Sequence, residues 1–164
     1  MAYSASTLPT LLLDTSVISG LVNEDLSSQD AAAIRQLVEM AAKGRVTIAA
    51  STVSKEEIDR IPTSYRSSHL AAYGAIEKIR AYSTWVDTCA SSSGSNEHPE
   101  YCAIRAILPD ENDARLAFQG KMAGVSAFIT VDRKTILSKT TALAAQGVNV
   151  ASPSQYLGST LGSV

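Results

Sequence analysis

Short, wholly apolar runs alternate along this chain with longer stretches of helical periodicity. Leu11-Leu12-Leu13 stops abruptly at Asp14-Thr15-Ser16, the mark of a strand buried on both faces. A helix start follows, with Val17, Ile18 and Leu21 at helical spacing. Ser28 to Ala42 carries an apolar stripe at Ile34, Leu37, Val38 and Ala41, and Lys43-Gly44 provides its exit. Val46 to Ala49 reads as a second buried strand, and Ser51 to Ile61 as a helix closed by Pro62. A further helical stretch covers Ser67 to Cys89, with Leu70, Tyr73, Ile76, Ile79 and Tyr82 in register. Ser91 to Asn96 is the one low-complexity segment and reads as a flexible loop. Tyr101 to Leu108 fits either a helix or a strand, and Pro109 to Asp113 opens a helix that ends near Gly124. Ala127 to Val131 is a third strand, Gly147 to Val150 a fourth, and Pro153 to Leu157 a last helical turn.

Strands that alternate with helices imply a mainly parallel sheet of four to five strands with helices on both faces, an α/β/α sandwich. In such sheets ligands bind outside the carboxyl ends of the strands. The 164 residues suit a single domain, with residues 1–7 expected to fray. Hydrophobic residues make up 45% and charged residues 18%, enough apolar surface for a full core without disulfides. A net charge of −2 argues against holding nucleic acid by bulk positive charge, although a local basic patch could still grip phosphates. Cys89 and Cys102 have no metal-ligand spacing and read as buried or inert thiols of a reducing cytosol. No stretch approaches the roughly 18–20 apolar residues that cross a bilayer, so a soluble cytoplasmic protein is expected.

Four acids fall where such a sheet concentrates chemistry. Asp14 ends the first strand, Asp132 follows the third, Glu57 lies near the start of the helix after the second, and Asp113 opens the helix that leads into Asp132's strand. Each has a bland alternative. An Asp after a strand is often a helix N-cap, and Ser54-x-x-Glu57 and Asp110-x-x-Asp113 resemble capping boxes. Helical phase separates some of these readings. Glu57 lies in the apolar stripe with Val53 and Ile61, whereas Glu56 has Arg60 four residues on and suits the surface. Asp113 shares a face with Leu116, Ala117 and Gly120, and Asp110 is the better cap. Gathered carboxylates raise one another's pKa unless a cation sits among them, and oxygen-only ligation selects Mg2+ or Mn2+ over zinc.

These residues resemble the PIN domain family. LLLDTSVIS is similar to its opening strand and first Asp, KEEID to its Glu helix, DARLAFQGKMAGVSAFITVD to the third-Asp helix with its following Thr-x-Asp strand end, and VNVASPSQYL to its closing strand and helical turn. The likeness spans most of the chain in order, with residues 63–108 matching loosely and 19 residues separating Asp113 from Asp132. It implies a Rossmann-like sandwich and a Mg2+- or Mn2+-dependent ribonuclease acting on single-stranded RNA. Many members are VapC-type toxins that work with an antitoxin protein, often as homodimers. The four catalytic and metal-binding acids would be Asp14, Glu57, Asp113 and Asp132, with Thr130 before the last Asp and Ser16 at a position often polar. The doubled acids leave Glu56 or Glu57, and Asp110 or Asp113, open as ligands.

Other features have blander readings. His69 and His98 suit structural or solvent roles. Trp85, Tyr82 and Tyr73 share a helix and suit core or dimer interface before a base-stacking platform. Arg133-Lys134, Lys121 and Arg115 are candidate phosphate contacts or solvated helix ends. A haloacid-dehalogenase-type phosphatase would need a second Asp where Ser16 stands. The remaining alternative is a catalytically silent PIN-like scaffold that binds RNA or protein.

Overall fold

The structure, a computed structural model, describes residues 8–51, 53, 54, 60, 62 and 98–161. The expected frayed leader at 1–7, Glu56 and Glu57, the 67–89 helix with His69, its aromatics and Cys89, and the Ser-rich loop lie outside the described residues.

Four parallel strands form one sheet in the order β2-β1-β3-β4: β1 (Thr10–Leu13), β2 (Thr47–Ala49), β3 (Ala127–Ile129) and β4 (Val150–Ala151). Leu11, Leu12 and Leu13 are all buried because successive side chains of β1 enter different layers. Leu12 joins Phe128 and Ala49 in one core. This core is completed by α3 (Pro99–Ile107), α4 (Glu111–Met122) and α5 (Thr140–Ala145). Leu11 and Leu13 join Ile48 and Ile129 in the other, beneath α1 (Thr15–Asn23), α2 (Ser28–Ala42) and α6 (Pro153–Leu161). The chain is therefore the expected α/β/α sandwich. Among the described residues no helix is long and apolar enough to cross a membrane.

The 101–108 segment is a helix. His98 Nδ1 accepts the Glu100 N–H at its start and Pro99 takes the first turn, where a missing N–H is harmless. His98 also packs on Phe118 with ring centroids 5.2 Å apart, the structural role expected of it. Cys102 is exposed rather than buried. The fourth strand begins later than its apolar pattern implies, because Gly147 and Val148 belong to the exit of α5. Gly147 adopts φ +78°, and the Val148 N–H returns to Leu143 O at 2.9 Å, so pairing with β3 starts only at Asn149. The closing turn after Pro153 extends to nine residues.

Gly120 sets how closely α4 approaches the sheet. A Cβ there would lie 3.1 Å from Leu12 Cδ2 and 3.2 Å from Val125 Cγ2. Gly120→Val should overpack this contact and cost about 1–3 kcal/mol in urea unfolding, whereas an unchanged midpoint would show that α4 can lift without loss.

Candidate active site

Parallel register brings the site together. Leu13 pairs with Ile129, so the next residues, Asp14 and Thr130, emerge side by side, and the Asp14 N–H donates to Ile129 O at 2.9 Å. Asp14 holds the N-cap position of α1, yet its side chain makes no capping hydrogen bond. Its Oδ2 instead accepts the Ser16 hydroxyl at 2.5 Å and the Thr130 hydroxyl at 2.7 Å. Each of those hydroxyls also accepts a backbone N–H, Ser16 Oγ from Val131 at 3.4 Å and Thr130 Oγ1 from Asp132 at 3.1 Å. A hydroxyl has one proton, so both protons are committed to Asp14 and the 3.3 Å between the two oxygens is a contact across a shared acceptor.

Asp14 is only 4% exposed, and among the described residues no Lys or Arg pairs with it. Burial pushes its carboxyl above the usual value of 3.8, the hydroxyls of Ser16 and Thr130 and the Thr15 backbone pull it partly back, and the charge of Asp132 raises it further. Asp132 answers the same chemistry differently. Its Oδ1 accepts the N–H groups of Lys134 and Thr135 at 3.0 and 2.9 Å, and its Oδ2 the Thr135 hydroxyl at 2.5 Å. Burial raises it, but these bonds outweigh burial and hold it below the usual value. The capping reading fails for Asp14, and Asp132 binds the turn that follows it rather than the start of a helix.

Asp110 caps α4 by accepting the Asn112 and Asp113 N–H groups, as helical phase suggests, and Asp113 is half-buried in the first turn. Glu57 lies outside the described residues, but the helix start before it is tied to the site. The Thr15 hydroxyl donates to buried Ser54 Oγ at 3.0 Å. Among the described residues no three His, Cys, Asp or Glu side chains come close enough to hold an ion together. At the same strand-end edge the Ser51 hydroxyl donates to buried Gln119 Oε1, joining β2 to α4.

Asp30 escaped the sequence reading. It is 2% exposed and joins three elements. The Ser27 hydroxyl and Arg133 Nη2 donate to its Oδ2, and the Ser154 N–H and hydroxyl donate to its Oδ1. Burial raises its carboxyl, but the Ser154 and Ser27 bonds and the Arg133 charge bring it below the usual value. The available signal was Ser27-x-x-Asp30 ahead of an apolar stripe, since Ser27 caps α2.

No family model matches the chain, and no curated protein does. A solved structure that does match is the crystal structure of VapBC2 from Rickettsia felis bound to a DNA fragment from their promoter. The TM-score is 0.52 at 13% identity, over 87% of this chain and 98% of the matched one. The two chains share a fold. It is the fold expected of a PIN-like sandwich, and at this identity the likeness extends no further.

The two buried aspartates should move stability in opposite directions with pH. Asp14's raised folded value means that stability present below pH 3.8 is lost as pH rises through that value. Asp14→Asn should therefore raise the melting midpoint at pH 7 by a few degrees, on the order of 1 kcal/mol, with the gain shrinking towards pH 4. A lowered midpoint at pH 7 would contradict the cost assigned to that buried charge. Asp30's lowered folded value supplies stability above pH 3.8 that is lost as pH falls through it. Asp30→Ala should cost about 3 kcal/mol at pH 7 and flatten the acid limb of a pH–stability curve. An unaltered acid limb would show that other carboxylates govern it.

Proposed function

We propose that this chain is a Mg2+- or Mn2+-dependent endoribonuclease that hydrolyses single-stranded RNA, and that it serves as the toxin of a toxin–antitoxin pair. One observation carries the reading: a carboxylate at a strand end is buried, left out of its helix cap and given no cation among the described residues. A buried charge in that state is unfavourable unless something positive joins it. The donors around it are oxygens, which suits a hard divalent ion. Asp14 and Asp132 would hold that ion. Asp113 from α4 and Glu57, three residues after Ser54, would complete the set. The chemistry such an ion supplies when bound is Lewis-acid polarisation of a phosphodiester and a lowered pKa for water.

The chain's own part is orientation. Ser16 and Thr130 fix one oxygen of Asp14 by donating to it, and the Val131 and Asp132 N–H groups fix those hydroxyls in turn. Such outer hydrogen bonds tune a ligand's direction and basicity. The shared fold with a chain of a VapBC complex supports the toxin reading, and a separate antitoxin and a second copy of this chain are the partners that go with it.

A second reading, a catalytically silent scaffold, draws on Asp132, whose carboxylate already accepts three hydrogen bonds from its own turn. Incubation with single-stranded RNA separates the two. Cleavage is expected with Mg2+ or Mn2+ and not with EDTA. Asp14→Asn should lower the rate about 100-fold or more, and Thr130→Val about 10–100-fold. RNA left intact with either ion, together with no Mn2+ heat in calorimetry, would sink the nuclease and leave the scaffold.

A further inference from the structure

We propose that the cleft beside Asp14 is a subsite for the phosphodiester backbone of the RNA strand. Arg133 would be its phosphate-contacting residue and Asp30 the residue that positions it. The inference rests on the ribonuclease reading above. The cleft measures about 410 Å3 and is lined by Ser16, Ser19, Asp25, Asp30, Val131 and Arg133, among others. It shares Ser16 and Val131 with the hydrogen bonds that hold Asp14, so it continues directly from the strand-end edge. Its volume falls within the range of about 300–1,000 Å3 usual for ligand clefts.

Among the described residues Arg133 is the one cationic residue lining this space. Its side chain is 63% exposed, and one guanidinium nitrogen reaches Asp30 at 3.2 Å. A guanidinium carries five N–H donors in a fixed fork, which matches two oxygens of one phosphate. The bond to Asp30 engages only one edge of that fork.

Asp30 does not need Arg133 to be satisfied, because Ser27 and Ser154 already donate three hydrogen bonds to it. An ion pair this exposed adds little stability. What the pair does supply is direction. A long side chain on an exposed turn would otherwise lose rotamer freedom on meeting a ligand, and anchoring it in advance removes part of that loss. Asp30 is well suited to anchor it, since its own position is fixed from both α2 and α6. The Ser19 hydroxyl lines the same cleft as a further donor, and Asp25 repels a second phosphate, which leaves room for one beside Arg133.

The test is equilibrium binding of a short fluorescein-labelled oligouridylate by anisotropy, with EDTA and again with Ca2+, between roughly 50 and 200 mM salt. Arg133→Gln should weaken binding roughly tenfold. It should also reduce the slope of log affinity against log salt by about 0.7, the loss of one phosphate contact on a single strand. Arg133→Lys, which keeps the charge, should retain the slope, and this holds the test open if the Gln variant folds poorly. A merely structural Arg133 would change the melting midpoint and leave the slope alone. Wild-type slope and affinity in Arg133→Gln would overturn the subsite. Wild-type protein that binds oligouridylate under neither condition would remove RNA as the ligand, and the subsite with it. Wild-type protein that binds RNA but cuts none with Mg2+ or Mn2+ would remove only the nuclease, and Arg133 would still be judged on its slope.

Discussion

The burial of one carboxylate at the end of β1 is the constraint around which this structure is arranged. A parallel sheet brings the carboxyl ends of its strands to a single edge, and the pairing of Leu13 with Ile129 sets Asp14 beside Thr130 there. Two hydroxyls from different elements are committed to that one side chain. The first turn of α1 contributes the Ser16 hydroxyl, β3 contributes Thr130, and the backbone beyond β3 fixes both hydroxyls. The same edge receives Ser54 through Thr15 and Gln119 through Ser51. These ties join α1, β1, β3, α4, Ser51 and Ser54 along one edge of the sheet.

Much of this was legible in the sequence for physical reasons. A run such as Leu11-Leu12-Leu13 has no polar face, so it can only be a strand covered on both sides, and its abrupt end at Asp14 marks a sheet edge. Helical phase separated Asp110 from Asp113 correctly, because a cap and a first-turn residue occupy different positions relative to the apolar stripe. What local pattern could not decide was how an acid at a helix start uses its oxygens. Asp14 and Asp132 both follow strands, and both could cap. One is drawn away by hydroxyls that only sheet pairing brings near, while the other binds its own turn. The late start of β4 has a similar origin. An apolar Gly147 to Val150 run satisfies the pattern of a strand, but the backbone of Gly147 is already committed to ending α5.

Likeness in fold at 13% identity follows from the same physics. The sandwich asks for apolar strands, helices with one apolar face and polar residues at the strand ends, and many sequences meet that demand. Whole-chain similarity can accordingly fall below recognition by sequence comparison while the fold is shared.

Asp14 and Asp30 answer the burial of a carboxylate in two different ways. Both are almost completely buried, both lie near the same end of the sheet, and both accept hydroxyl hydrogen bonds. Asp30 also receives a backbone N–H from α6 and a guanidinium, so its charge is answered and its carboxyl is easily ionised. Asp14 receives hydroxyls but no cation among the described residues, and its ionised form is disfavoured. If holding the fold together were all that was required, the second arrangement would be the poorer solution to the first one's problem. A chain that already builds the better solution at Asp30, with Arg133 one residue past Asp132, had the means to neutralise the edge at Asp14. That it directs the arginine to Asp30 leaves the carboxyl at Asp14 without a cationic partner among the described residues.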